Sequence, residues 1–130
     1  MTVEEVKGQG GNVFNHAAIS VDGRQAVGLE QKKDSAAAAL EDETTPGAVR
    51  GVAANRKVLA KVTIRITRDQ ARHIQVFLDK AAKSPPNYNL YHSNCAEFCE
   101  AAMRAGGLKA PSDMTPGGLL NDLKKLYPQP

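Results

Sequence analysis

Between residues 58 and 81 the hydrophobic period changes from two residues to about 3.6 across a single residue, and few folds accommodate such a junction. Val58, Ala60, Val62, Ile64 and Ile66 alternate with Lys61, Thr63 and Arg65, the pattern of a half-buried strand. Thr67-Arg68-Asp69-Gln70 follows at once and reads as a capping box. Ala71, Ile74, Phe77, Leu78 and Ala81 then fall on one helical face. Lys83-Ser84-Pro85-Pro86-Asn87 ends that helix. A second helix starts near Asn94 or Cys95 and stops at Gly106-Gly107. A third has Thr115 as its cap, Pro116 at the first helical position, and Leu119, Leu120, Leu123 and Leu126 as its apolar stripe.

The N-terminal half reads differently. Lys7-Gly8-Gln9-Gly10-Gly11-Asn12 is a glycine-rich loop that lacks the Lys-Ser/Thr ending of a phosphate loop. His16-Ala17-Ala18-Ile19-Ser20-Val21 and Ala26-Val27-Gly28-Leu29-Glu30-Gln31 flank Asp22-Gly23, a strong hairpin signal. The expected pairing sets 17–21 against 26–30, which brings Glu30 beside the start of the first strand. Residues 32–57 read as a mobile insertion with a short helix at Ser35-Ala36-Ala37-Ala38-Ala39-Leu40-Glu41 and a break at Thr44-Thr45-Pro46-Gly47. Hairpin, insertion, strand and three helices make an α+β fold, and 130 residues suit one domain spanning residues 1–130.

Several function classes fall away on composition. No apolar run approaches the ~20 residues of a membrane span. Net charge is +3 and aromatic residues make up 5% with no tryptophan, which argues against a nucleic-acid partner. The start, Met1-Thr2-Val3-Glu4-Glu5-Val6, is acidic and has no basic-then-apolar signal peptide, so synthesis in the cytoplasm is expected, with any export left to a dedicated secretion system. Two cysteines cannot form a disulfide framework.

Cys95 stands at a predicted helix start, where unpaired N–H groups and the helix dipole favour a thiolate. Cys99, one turn later beside Phe98 and Ala102, is expected to be buried and inert. A nucleophilic cysteine needs a base, and the chain offers His16, His73 and His92. His73 falls mid-helix, His92 on a loop, and His16 at the start of a strand able to hold an imidazole steadily. The residues alone do not choose among them. A zinc set of His92, Cys95 and Cys99 matches no common spacing and lacks a fourth ligand, so no metal and no cofactor is expected.

Tyr88-Asn89-Leu90-Tyr91-His92-Ser93-Asn94-Cys95-Ala96-Glu97-Phe98 resembles the Asn-Cys-Glu-His-Phe box of the lecithin:retinol acyltransferase-like family and the cysteine helix of bacterial permuted papain-like amidases and peptidases. His16-Ala17-Ala18-Ile19-Ser20-Val21-Asp22-Gly23 is similar to the strand that opens with their catalytic histidine. The order of the two motifs and the Ala105-Gly106-Gly107-Leu108 segment with Pro111 extend the likeness over roughly residues 12–126, most of one domain. The resemblance implies a circularly permuted papain-like fold, a small antiparallel sheet packed against helices. It implies Cys95 as nucleophile, His16 as general base, and a third residue on the next strand, Glu30, with Gln31 in reserve. Tyr91 or Asn94 would support the oxyanion beside the Cys95 N–H. Ala96-Glu97 replaces that family's Glu-His, and strand two carries no second histidine, departures that favour the amidase/peptidase branch over lipid acyl transfer.

Three functions follow as expectations. The first is a thiol hydrolase cutting an amide or peptide substrate, a bacterial effector or toxin acting on cell-wall peptide and restrained by an inhibitor or immunity protein. The second is a phospholipid or ester acyl hydrolase or transferase, and the third a non-catalytic binding module.

Overall fold

A computed structural model describes residues 1–8 and 14–130. Its strands are β1 (Thr2–Val6), β2 (His16–Ser20), β3 (Val27–Gln31), β4 (Gly47–Gly51) and β5 (Val58–Thr63), and they form one antiparallel sheet in the order β4-β3-β2-β1-β5. The helices among the described residues are α1 (Ala36–Leu40), α2 (Arg68–Lys83), α3 (Cys95–Ala105) and α4 (Pro116–Leu126). The molecule is therefore α+β with a small antiparallel sheet, and α2, α3 and α4 pack against it. None of the described helices is long and apolar enough to cross a membrane. Residues 9–12 of the glycine-rich loop lie outside the described residues.

The helix signals are local, and each is met. Thr67 Oγ1 accepts from Gln70 N–H at 3.1 Å, and Gln70 Oε1 accepts from Thr67 N–H at 2.9 Å, completing the capping box of α2. Thr115 caps α4 with Pro116 in its first turn. Gly106 and Gly107 end α3, Gly107 at φ 76°. Ala71, Ile74, Leu78 and Ala81 of α2 are buried as their spacing predicts, and Phe77 stacks at a tilt on Phe98 of α3, ring centres 5.5 Å apart.

The strands depart from expectation. β1 was not foreseen, yet it pairs with both β2 and β5. Its two buried valines, Val3 and Val6, do not alternate because the register with β5 shifts between Glu5 and Val6. The same irregularity turns Val58 out to 46% exposure, and β5 ends at Thr63 rather than reaching Ile66. Residues 32–57 are part of the fold: they supply the edge strand β4, all five of whose residues pair with β3. Asn89 ties the segment to the approach to α3, donating to the Asp42 carbonyl at 3.1 Å and the Thr44 hydroxyl at 3.2 Å.

The β2–β3 turn forms as read. Asp22 (φ 54°) and Gly23 (φ 72°) both take positive φ, and Arg24 N–H donates to Val21 C=O at 3.1 Å, the geometry of a type I′ turn. The register differs by one residue from the expected one: Ile19 lies opposite Val27, not Gly28. Regular pairing is not continued toward His16, because β3 there passes against the histidine. A Cβ on Gly28 would lie 2.5 Å from His16 Nε2 and 2.5 Å from the Ala17 carbonyl oxygen. Gly28→Ala is accordingly expected to destabilise the fold by roughly 2 kcal/mol, since the obstructing Ala17 atom is backbone and cannot swing aside. Urea denaturation checks this, and an unchanged midpoint contradicts the close approach.

Candidate active site

α3 begins at Cys95 because Asn94 caps it, its Oδ1 accepting from Glu97 N–H at 3.0 Å. That cap delivers the thiol to the strand that starts with His16. The backbone N–H groups of Ala17, Ala96 and Cys95 itself favour the thiolate form of Cys95. Cys95, His16, Glu30, Gln31 and Tyr88 line one small cavity of about 20 Å³. Cys95 and Tyr88 also line an adjoining groove of about 480 Å³ with Tyr91, Asn94, Leu90 and Met114. The thiol stands where the cavity meets the groove.

Electrostatics at the pair run against the simplest helix-start argument. Cys95 is 6% exposed, and burial pushes its thiol up to about 11 despite the three N–H groups, with the Glu30 charge adding to the rise. Desolvation outweighs the helix terminus here. His16 is 3% exposed, and burial together with the Arg56 guanidinium holds it down at about 4. At neutral pH the two groups are an uncharged thiol and an uncharged imidazole, the form in which the imidazole can accept a proton. Cys99 is fully buried, its thiol raised well above the usual range by burial first and the nearby Cys95 second.

The expected supporting residues are engaged elsewhere. Glu30 Oε1 accepts from Arg50 at 2.6 Å, across the β3–β4 pair. Gln31 is locked to the Ser35 backbone, accepting from its N–H at 2.8 Å and donating to its carbonyl at 3.1 Å. Neither is hydrogen-bonded to His16. Asn94 spends both amide protons on the Leu90 and Met114 carbonyls, at 2.7 and 2.9 Å. Tyr91 OH donates to the Leu40 carbonyl at 3.2 Å. Asn94 and Tyr91 border the groove as structural ties rather than free donors. His92 is exposed and faces Asp42 at 3.6 Å. Among the described residues no group of three or more His, Cys, Asp or Glu is arranged to hold a metal.

No family model matches the chain, and neither does any curated protein or solved structure. The site therefore stands on its own geometry.

Two site residues escaped the sequence reading. Tyr88 borders both cavity and groove, and burial, reinforced by Cys95 and Glu30, raises its hydroxyl so that it stays protonated. Gly28 carries no chemistry but makes room for the His16 ring. A glycine inside a strand pattern is a signal of close approach, and Gly28 displayed it.

Proposed function

We propose that this chain is a cysteine hydrolase of the permuted papain-like superfamily that cleaves an amide bond through a thioacyl intermediate. The observation that carries the reading is the convergence of a helix-start cysteine and a strand-start histidine on one cavity that meets a substrate-sized groove. Cys95 Sγ attacks the carbonyl carbon as the His16 imidazole takes the thiol proton. The tetrahedral intermediate collapses with loss of the amine, which takes that proton from the imidazolium. Water then attacks the thioester, His16 accepts a proton from it, and the carboxylic acid leaves as the thiol re-forms. The Tyr88 hydroxyl is the donor suited to the developing oxyanion, a role assigned before to Tyr91 or Asn94. The uncharged resting pair places the proton transfer within the attack step.

An effector or toxin acting on cell-wall peptide, and an inhibitor protein covering the groove, extend this proposal by resemblance. The apolar lining from Leu90 and Met114 supports the second reading, hydrolysis of an acyl ester.

The test uses p-nitrophenyl butyrate and the matching p-nitroanilide. The hydrolase reading expects a burst of p-nitrophenolate stoichiometric with protein, a butyryl adduct on Cys95 by mass spectrometry, and loss of both in Cys95→Ala. Turnover of the anilide supports the amidase assignment, whereas turnover of the ester alone supports the esterase. A burst that persists in Cys95→Ala overturns the reading.

A further inference from the structure

We infer that the groove beside Cys95 recognises an alkylammonium group, an aliphatic chain ending in a protonated primary amine, with Glu5 as its counter-ion. The inference deepens the hydrolase reading and rests on Cys95 being its nucleophile.

Glu5 is the one charged residue among the described residues that line the groove. The register of the sheet explains how it comes to be there. Glu5 on β1 lies directly opposite Ala17 on β2, so the two side chains share one face of the sheet. Glu5 and Cys95 line the same groove. Glu5 is half-buried, and its Oε2 accepts from Asn15 Nδ2 at 3.3 Å and lies 3.7 Å from where a Cβ on Gly117 would sit. No described lysine or arginine forms an ion pair with it. The surface of the groove is mainly apolar, with Phe14, Leu90 and Met114 on its walls. An apolar channel with a single anionic end has the complementary form of an alkylammonium ion. Gly117 lies in the first turn of α4, so the Glu5 carboxylate also stands beside that helix's N-terminus and offsets its dipole in part, and the experiment reads the charge that remains for a ligand.

Cys95 itself reports the local field. Methanethiosulfonates transfer a thioalkyl group to a thiolate, forming a mixed disulfide and expelling methanesulfinate, and need no catalytic turnover. Rates at Cys95 are compared for the ethylammonium, ethylsulfonate and methyl reagents, each normalised to its rate with free cysteine. The expected result is an ethylammonium-to-ethylsulfonate ratio of about ten in the unsubstituted protein, falling several-fold in Glu5→Gln, where the Glu30 charge remains, and persisting in Glu5→Asp. A methyl-reagent rate in Glu5→Gln no lower than in the unsubstituted protein shows that access and fold are kept. Hexylamine should slow the methyl reagent where hexanol and hexanoate do not, and this protection should vanish in Glu5→Gln. A ratio near or below one in the unsubstituted protein, a ratio indifferent to Glu5→Gln, or equal protection by all three hexyl compounds overturns the inference. Absence of the ester burst with amine protection intact would overturn the hydrolase reading alone.

Discussion

Replacing His16 with alanine is expected to slow acylation of Cys95 by about 10²–10⁴-fold, the usual contribution of a positioned general base. The effect is large because the thiol, held up at about 11 by burial, is almost wholly protonated at neutral pH and depends on the imidazole to take its proton. Stopped-flow measurement of the p-nitrophenolate burst reads the rate directly. His92→Ala provides the comparison: that imidazole is exposed, faces Asp42, and should leave the burst within a factor of about two of the unsubstituted rate. His16→Gln fills the site better than alanine and should show the same loss, which separates lost chemistry from a collapsed cavity. A burst rate that survives both His16 substitutions removes the base from this strand.

The second large effect is on stability against acid. The folded imidazole of His16 titrates at about 4, below its ordinary value of 6.5, so the unfolded chain binds the proton first as pH falls. The resulting stability is fully present above about pH 6.5 and is lost as pH falls to about 4, a total of about 3 kcal/mol. Glu100 acts in the opposite direction. Burial, reinforced by the Asp113 charge, raises its carboxyl to about 7, so its folded form costs stability as pH rises from 4.5 toward 7. The two contributions partly cancel in the unsubstituted protein, and its own profile is expected to be shallow. Comparison with His16→Gln exposes the histidine. Denaturant titrations from pH 7.5 down to 4 should show the unsubstituted protein losing about 3 kcal/mol relative to His16→Gln, with Glu100 common to both. Parallel profiles would mean that His16 is not held neutral by the fold. Glu100→Gln is expected to stabilise the protein above pH 7, since a neutral amide there keeps an oxygen to accept the Asp113 N–H and carries no charge to bury.

These two effects share one origin. The environment that makes His16 a neutral base also makes it an acid-sensitive part of the fold. Gly28 passing against the ring contributes to its burial, and the Arg56 guanidinium on the β4–β5 connection adds charge repulsion against the imidazolium. The proposed role of His16 and its contribution to stability thus rest on the same contacts.

The sequence by itself determined what is settled within a few residues. Thr67 with Gln70, Asn94, Thr115 with Pro116, and Gly106-Gly107 place the ends of α2, α3 and α4, because a cap satisfies groups on its own helix. Asp22-Gly23 set the turn because its two positive φ values suit those residues. The position of Cys95 at a helix start and of His16 at a strand start was likewise legible. Tertiary structure alone decided what depends on partners far along the chain. β1 and β4 are strands because β2, β3 and β5 supply their hydrogen bonds, and a short segment such as Thr2–Val6, its alternation interrupted beside Glu5, shows little of that in advance. The partners of the expected supporting residues were hidden for the same reason. Glu30, Gln31, Tyr91 and Asn94 have the right chemistry and adjacency, but Arg50, Ser35, Leu40 and Met114 take up their polar groups once the chain is folded. Hydrogen-bonding capacity is finite, and which partner claims it is decided by three-dimensional proximity. The charge state of the pair belongs to tertiary structure too: a helix start favours the thiolate, but burial under the packed sheet and helices favours the thiol more.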